Sequence, residues 1–147
     1  MRMFQRILVA TDFSPASSPA LEQAVKMAKQ NGALLLIAHA YQEPGLFELS
    51  RAPTRVYKEW EGKLRELVEE KLRPLVDGAR REGVEARDLL LEGFADEAIV
   101  GAAKKERVDL IVMGTHGRRG AARLFLGSVA SRVISAAPCP VLTVRAA

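Results

Sequence analysis

The feature that most constrains this chain is an alternation. Short apolar runs of β type take turns with segments of helical periodicity along the sequence. Five strands are read from it. Residues 7–11, ILVAT, form a near-continuous apolar run suited to a strand buried on both faces. Residues 34–41 are the second strand, 85–91 a weaker third, 109–114 a fourth and 141–145 a short fifth. Parallel neighbours require crossovers, and those crossovers are right-handed, so the β-α-β-α-β-α-β-α-β order predicts an α/β domain whose parallel sheet carries helices on both faces. Sheets of this kind bind ligands at the carboxyl ends of their strands, where the strand order reverses.

The first helix carries Leu21, Ala24, Val25 and Ala28 on one face and stops at Asn31-Gly32. Its start can be placed in two ways, because Ser14-Pro15 and Ser18-Pro19 each read as an N-cap followed by proline at the first position. The second helix has the clearest stripe, Leu64, Leu67, Val68, Leu72, Leu75, Val76 and Ala79, which reads as core packing. Pro74 removes one backbone bond within it at a cost of about 3 kcal/mol, and a kink is expected there. Residues 95–105 and 128–136 supply the third and fourth helices. Residues 42–54, with Pro44, Gly45 and Pro53 and no periodicity, read as a long loop.

A chain of 147 residues, 48% hydrophobic and 27% charged, fits one globular domain and is too apolar for a disordered one. The first apolar run is interrupted by Thr11 and Asp12, too short for a membrane span and without a signal-peptide cleavage pattern, so the expected location is cytoplasmic with no membrane partner. Cys139, the one cysteine, has no partner for a disulfide or a structural zinc site; between Pro138 and Pro140 it reads as a small packing residue. A net charge of +4 attracts a small polyanion but forms no stripe for nucleic acid, which is not an expected partner.

Two places follow strands closely enough to touch a ligand: Thr11-Asp12, and the run GTHGRRGAARLFLGS that begins at Gly114. Glycines allow backbone N–H groups to approach an anion, and the Gly127-Ser128 pair opens a helix, whose first N–H groups and positive dipole end favour a phosphate. Turn-forming glycines and an ordinary helix start are the structural alternative. No Gly-x-x-x-x-Gly-Lys-Ser/Thr run occurs and no Gly-x-Gly-x-x-Gly follows a strand, so neither a P-loop nor a dinucleotide fingerprint is present. In the same run Arg118, Arg119 and Arg123 read as solvated surface, and His116 as a passive neighbour. His39, within the second strand, reads as a hydrogen-bonded core histidine.

Gly114-x-x-Gly117, nine residues, then Gly127-Ser128 resembles the ATP-binding signature of the universal stress protein family. The resemblance extends to ILVATDFSPAS, LLLIAHAY, VDLIVMGTHGRRG and GSVASRVISAAPCPVLTVR, in order. It implies a Rossmann-like sheet of the adenine nucleotide alpha hydrolase type, in the order 3-2-1-4-5, with the reversal between strands one and four. It also implies ATP as the ligand, with a magnesium ion accompanying the triphosphate. By the same resemblance Asp12 accepts from the ribose hydroxyls, a helix-capping aspartate being the alternative. Ala10 and Thr11 border the nucleotide, and the backbone of Ala40 lies against adenine. Met113 and Gly114 lie beneath the sugar and first phosphate, and Gly117, Gly127, Ser128 and Val129 cradle the phosphates. A homodimer through the C-terminal strand, from Val141 to Arg145, is the further implication. The expected activity is that of a dimeric nucleotide-dependent regulator in stress response, with a slow ATPase, or a dimer scaffold without turnover, as alternatives.

Overall fold

The computed structural model describes residues 2–41, 54–116 and 126–146. Its strands are β1 (Arg6–Ala10), β2 (Leu34–Tyr41), β3 (Ala86–Glu92), β4 (Leu110–Gly114) and β5 (Val141–Val144). Its helices are α1 (Ser18–Asn31), α2 (Thr54–Arg81), α3 (Ala95–Lys105) and α4 (Ser128–Ala136). All four pairings are parallel and the order is β3-β2-β1-β4-β5, which puts the reversal between β1 and β4 as expected. The strand positions agree with the sequence to within a residue. β1 ends at Ala10, before Thr11, and β3 runs one residue later than expected.

Side chains alternate across the sheet and build two cores. On one face Ile7, Val9, Leu35, Ile37 and Val112 pack against Ala24 and Ala28 of α1 and Val68, Leu72 and Val76 of α2. On the other, Leu8, Leu36, Ala38, Ile111 and Met113 meet Ile99 and Ala103 of α3 and Ala130 and Val133 of α4. The crossovers to either side of β1 therefore lie on opposite faces. Between β1 and β4 the connections diverge and leave an opening at the carboxyl ends.

Both serine-proline pairs at the first helix are used. Ser14 precedes a 3₁₀ turn, Pro15–Ser17, and α1 begins at Ser18 with Ser17 at its cap and Pro19 in its first turn. The helix stops at Gly32, whose left-handed φ of 62° suits glycine and whose N–H returns to the end of the helix. α2 continues through Pro74 as one helix. Leu67 departs from the predicted stripe: it is 56% exposed, while Val68, Leu72, Val76 and Ala79 are buried. A helix of 28 residues is about 42 Å long, against about 23 Å for the seven-residue β3, and of the α2 residues before Val68 it is Leu64 that packs, partly buried, against the core. The long-loop expectation, with Pro44, Gly45 and Pro53, lies outside the described residues apart from Thr54, which opens α2.

Candidate functional site

The chain leaves β1 through an elbow whose polar groups are tied to one another. Thr11 N–H still donates to Ala38 O at 2.9 Å, as a strand residue would. Phe13 then takes a left-handed φ of 64°, a conformation costing a side-chain-bearing residue about 1–3 kcal/mol. Local hydrogen bonds hold it. Phe13 N–H donates to Thr11 Oγ1 at 3.0 Å and Ser14 N–H to Asp12 Oδ1 at 2.9 Å. The Ser14 hydroxyl also donates to Asp12 Oδ1. Ser17 Oγ gives its one proton to Ser14 O at 2.8 Å, so the Thr11 hydroxyl is the donor in its 3.1 Å bond to Ser17 Oγ. The hydroxyl protons of Thr11, Ser14 and Ser17 are thus spent inside the elbow. What the elbow presents outward is the Asp12 carboxyl and backbone.

His39 braces the elbow from β2. Its Nδ1 donates to Thr11 O at 2.8 Å, and its ring lies 4.4 Å from that of Phe13, over which Lys71 Nζ sits at 5.5 Å. The expected hydrogen bond of His39 is present, but the residue is half-buried and borders a cavity rather than closing a core.

That cavity, about 440 Å³, opens at the carboxyl ends of the strands. Ala10, Ala40, Met113, Ala95, Ile99 and Ala130 give it an apolar side between α3 and α4. Thr11, Asp12, Ser17 and His39 give it a polar rim on the elbow side. Gly114, Thr115, His116, Gly127, Ser128 and Val129 close the remaining wall. Ala10, Thr11, Asp12, Ala40, Met113, Gly114, Gly127, Ser128 and Val129, distant in sequence, thus border one space. Gly117, with Arg118, Arg119 and Arg123, lies outside the described residues.

Gly114 has a steric reason. A Cβ there would come within 3.4 Å of both Ala16 O and His116 O, where the end of β4 passes the 3₁₀ turn. Gly127 behaves differently from a cradle glycine, because its φ of −64° and ψ of 161° suit any residue and its N–H donates to Thr115 O at 2.7 Å. The N–H groups that a helix start leaves without carbonyl partners begin at Ser128, and Ser131 N–H, bonded to Gly127 O at 3.0 Å, is the first to be satisfied. Among the described residues no side chain caps α4. The wall therefore offers an anion the open end of a helix, while the opposite rim carries a carboxylate and the side between is apolar. Such a surface fits a ligand with an anionic end, a polyhydroxyl middle and a flat apolar ring.

Sequence reasoning did not assign Ser17, Ala95, Ile99, Thr115 or Ala130 to this cavity. Ala95, Ile99 and Ala130 are apolar residues with no chemical signature, and the packing of α3 beside α4 brings these three here. Cys139 is half-buried among the packing residues of the second core, and burial, with the Asp109 carboxylate, pushes its thiol pKa up. Among the described residues no group of three or more His, Cys, Asp or Glu side chains is placed to hold a metal ion. None of the described helices is long and apolar enough to cross a membrane.

Comparison with known proteins places this architecture. The model of the universal stress protein family matches residues 3–145. A universal stress protein of Thermus aquaticus, encoded in the QAH/OAS sulfhydrylase 3′ region, is 40% identical over 145 residues, covering 97% of this chain and all of that protein. The solved structure of hypothetical protein MJ0577, from Methanocaldococcus jannaschii, superposes with a TM-score of 0.86 at 29% identity, over 99% of this chain and 98% of the other. A universal stress protein in complex with cAMP gives 0.72 at 28% identity over 98% of each chain. That of Archaeoglobus fulgidus in complex with dAMP gives 0.67 at 26% over 99% of this chain and all of the other. The chain belongs to the universal stress protein family.

Proposed function

We propose that this chain binds ATP in the cavity between β1 and β4 and works as a dimeric, nucleotide-dependent regulator in a cytoplasmic stress response. The observation that carries the proposal is the convergence of the ends of β1, β2 and β4 and the start of α4 on one space of about 440 Å³. Two solved relatives, the complexes with cAMP and with dAMP, hold adenine nucleotides. Adenine would lie on the apolar side against Ala40, with Ala10 and Thr11 bordering the nucleotide. Asp12 would accept from the ribose, Met113 and Gly114 would underlie the sugar and first phosphate, and the N–H groups of Ser128 and Val129 would take the phosphates with Gly117 and Gly127 beside them. A magnesium ion would ride on the phosphate oxygens and water. The Archaeoglobus protein is in complex with dAMP, whose sugar carries no 2′-hydroxyl, and this favours the 3′-hydroxyl as the partner for Asp12 in this chain.

The elbow chemistry favours binding over turnover. Asp12 Oδ1 already accepts two bonds from Ser14, and the nearby hydroxyl protons are committed. A site that holds the ground state as well as the transition state does not accelerate hydrolysis. The test is the identity of the nucleotide retained after mild purification, read by mass, with calorimetric affinities for ATP, ADP and AMP. Retention of an adenine nucleotide supports the proposal; absence of binding to all three refutes it.

A further inference from the structure

One polar atom beside the cavity is left unsatisfied by the fold. His116 Nε2 is shielded from solvent and has no hydrogen-bond partner among the described residues. The other ring nitrogen, Nδ1, meets the Thr115 hydroxyl at 3.0 Å. Buried polar atoms in folded proteins are nearly always paired, so a solitary one points to a missing partner. The backbone restricts where that partner comes from. Thr115 N–H donates to Val144 O at 3.2 Å, and Thr115 O accepts from Gly127 N–H at 2.7 Å, which clamps this turn between β5 and the start of α4. With the backbone clamped, the ring is re-aimed by rotation between the staggered wells of its own side-chain bonds. Beyond the clamp lie Ser128 and Val129, which border the same cavity as His116.

We propose that His116 is a ligand-contacting residue whose imidazole turns toward the cavity when nucleotide binds and donates an Nε2–H hydrogen bond to a phosphate oxygen. The inference rests on the reading of the cavity as an adenine-nucleotide site. A phosphate oxygen accepts hydrogen bonds, so it selects the tautomer that carries its proton on Nε2, and the rotatable Thr115 hydroxyl then serves Nδ1 as donor. Thr115 is in this sense a positioning residue for His116. A passive role for His116 leaves its buried nitrogen unexplained.

Calorimetric titration of ADP and adenosine into the wild type, His116→Phe and His116→Gln tests this, with circular dichroism to verify each fold. Phenylalanine keeps a ring and loses the nitrogen, whereas the glutamine amide returns an N–H donor near the place of Nε2. His116→Phe is expected to weaken ADP roughly tenfold or more, the effect of one lost hydrogen bond to a charged group, and to leave adenosine unchanged. His116→Gln should recover most of the loss. In the wild type, the ¹⁵N resonance of Nε2 should move on addition of ADP and stay in place with adenosine. Equal losses for ADP and adenosine, or undiminished ADP affinity in His116→Phe, would overturn the inference while leaving the nucleotide site standing. A wild type that binds neither ligand would overturn both.

Discussion

Asp12 combines two roles that residue chemistry alone presented as alternatives. Its Oδ1 accepts the Ser14 N–H and hydroxyl, so it caps the elbow, and the same residue borders the cavity. Asp12→Ala should therefore lower stability by about 1–3 kcal/mol in urea unfolding and weaken ATP at least about tenfold in calorimetry. Asp12→Asn keeps an amide oxygen for Ser14, so most of the stability should return while affinity stays reduced. If the alanine variant keeps full ATP affinity, the ribose contact is wrong. Asp12 follows the end of a strand, Gly114 ends another and Gly127-Ser128 opens a helix, and these positions at the cavity wall were legible in the sequence because each marks the end or start of an element. His39 was not. An imidazole inside an apolar run reads as core, and only the paired ends of β1 and β2 show it meeting Thr11 O and Phe13 at the cavity rim.

At the level of elements, periodicity located the strands and α-helices of the described residues, since burial on both faces makes β1, β2 and β4 near-continuous apolar runs and each helix a stripe; β3, with Arg87 and Asp88 exposed, gave the weaker signal. What periodicity misjudged was the width of one stripe. Leu67, in the first half of α2, lies about 100° round the helix from Val68, on the flank of the stripe, and stays exposed, whereas Leu64, one turn earlier, packs against the core. Which flank of the helix the sheet covers is a property of the partner elements and not of the helical sequence. Gly62, in that same half, would place a Cβ within 4 Å of nothing beyond its own helix, so Gly62→Ala should raise stability by about 0.5–1 kcal/mol, read as a shift in the urea midpoint. An unchanged or lower midpoint would mean that this part of α2 is not a free-standing helix.

For the whole molecule, the two edges of the sheet are treated differently. On β3 the outward carbonyl of Ala86 is taken by Arg80 Nε at 3.0 Å, and Arg87 and Asp88 stand exposed. Such charges discourage pairing. On β5, Pro140 O and Val144 O accept from Ile111 and Thr115 N–H groups of the β4 side, so by alternation Val141 and Thr143 turn their N–H and C=O groups outward. A second copy meeting this edge antiparallel would satisfy them under two-fold symmetry. Thr143→Pro should therefore lower the dimer fraction in sedimentation and keep the fold, whereas Leu142→Pro should damage the fold; a wild type sedimenting only at 16.1 kDa would exclude the dimer. ATP turnover should stay far below the ~10 s⁻¹ typical of enzymes, and fast metal-dependent turnover by rigorously purified protein would make this an ATPase. The central claim is that the cavity at the β1–β4 reversal holds the nucleotide, and its most direct measurement is calorimetric titration of ATP into the wild type and into Gly127→Val. The backbone at Gly127 suits valine, but the added side chain stands at the cavity wall. The account predicts saturable one-site binding to the wild type and none to a folded variant. Undiminished ATP affinity in the folded variant would contradict it.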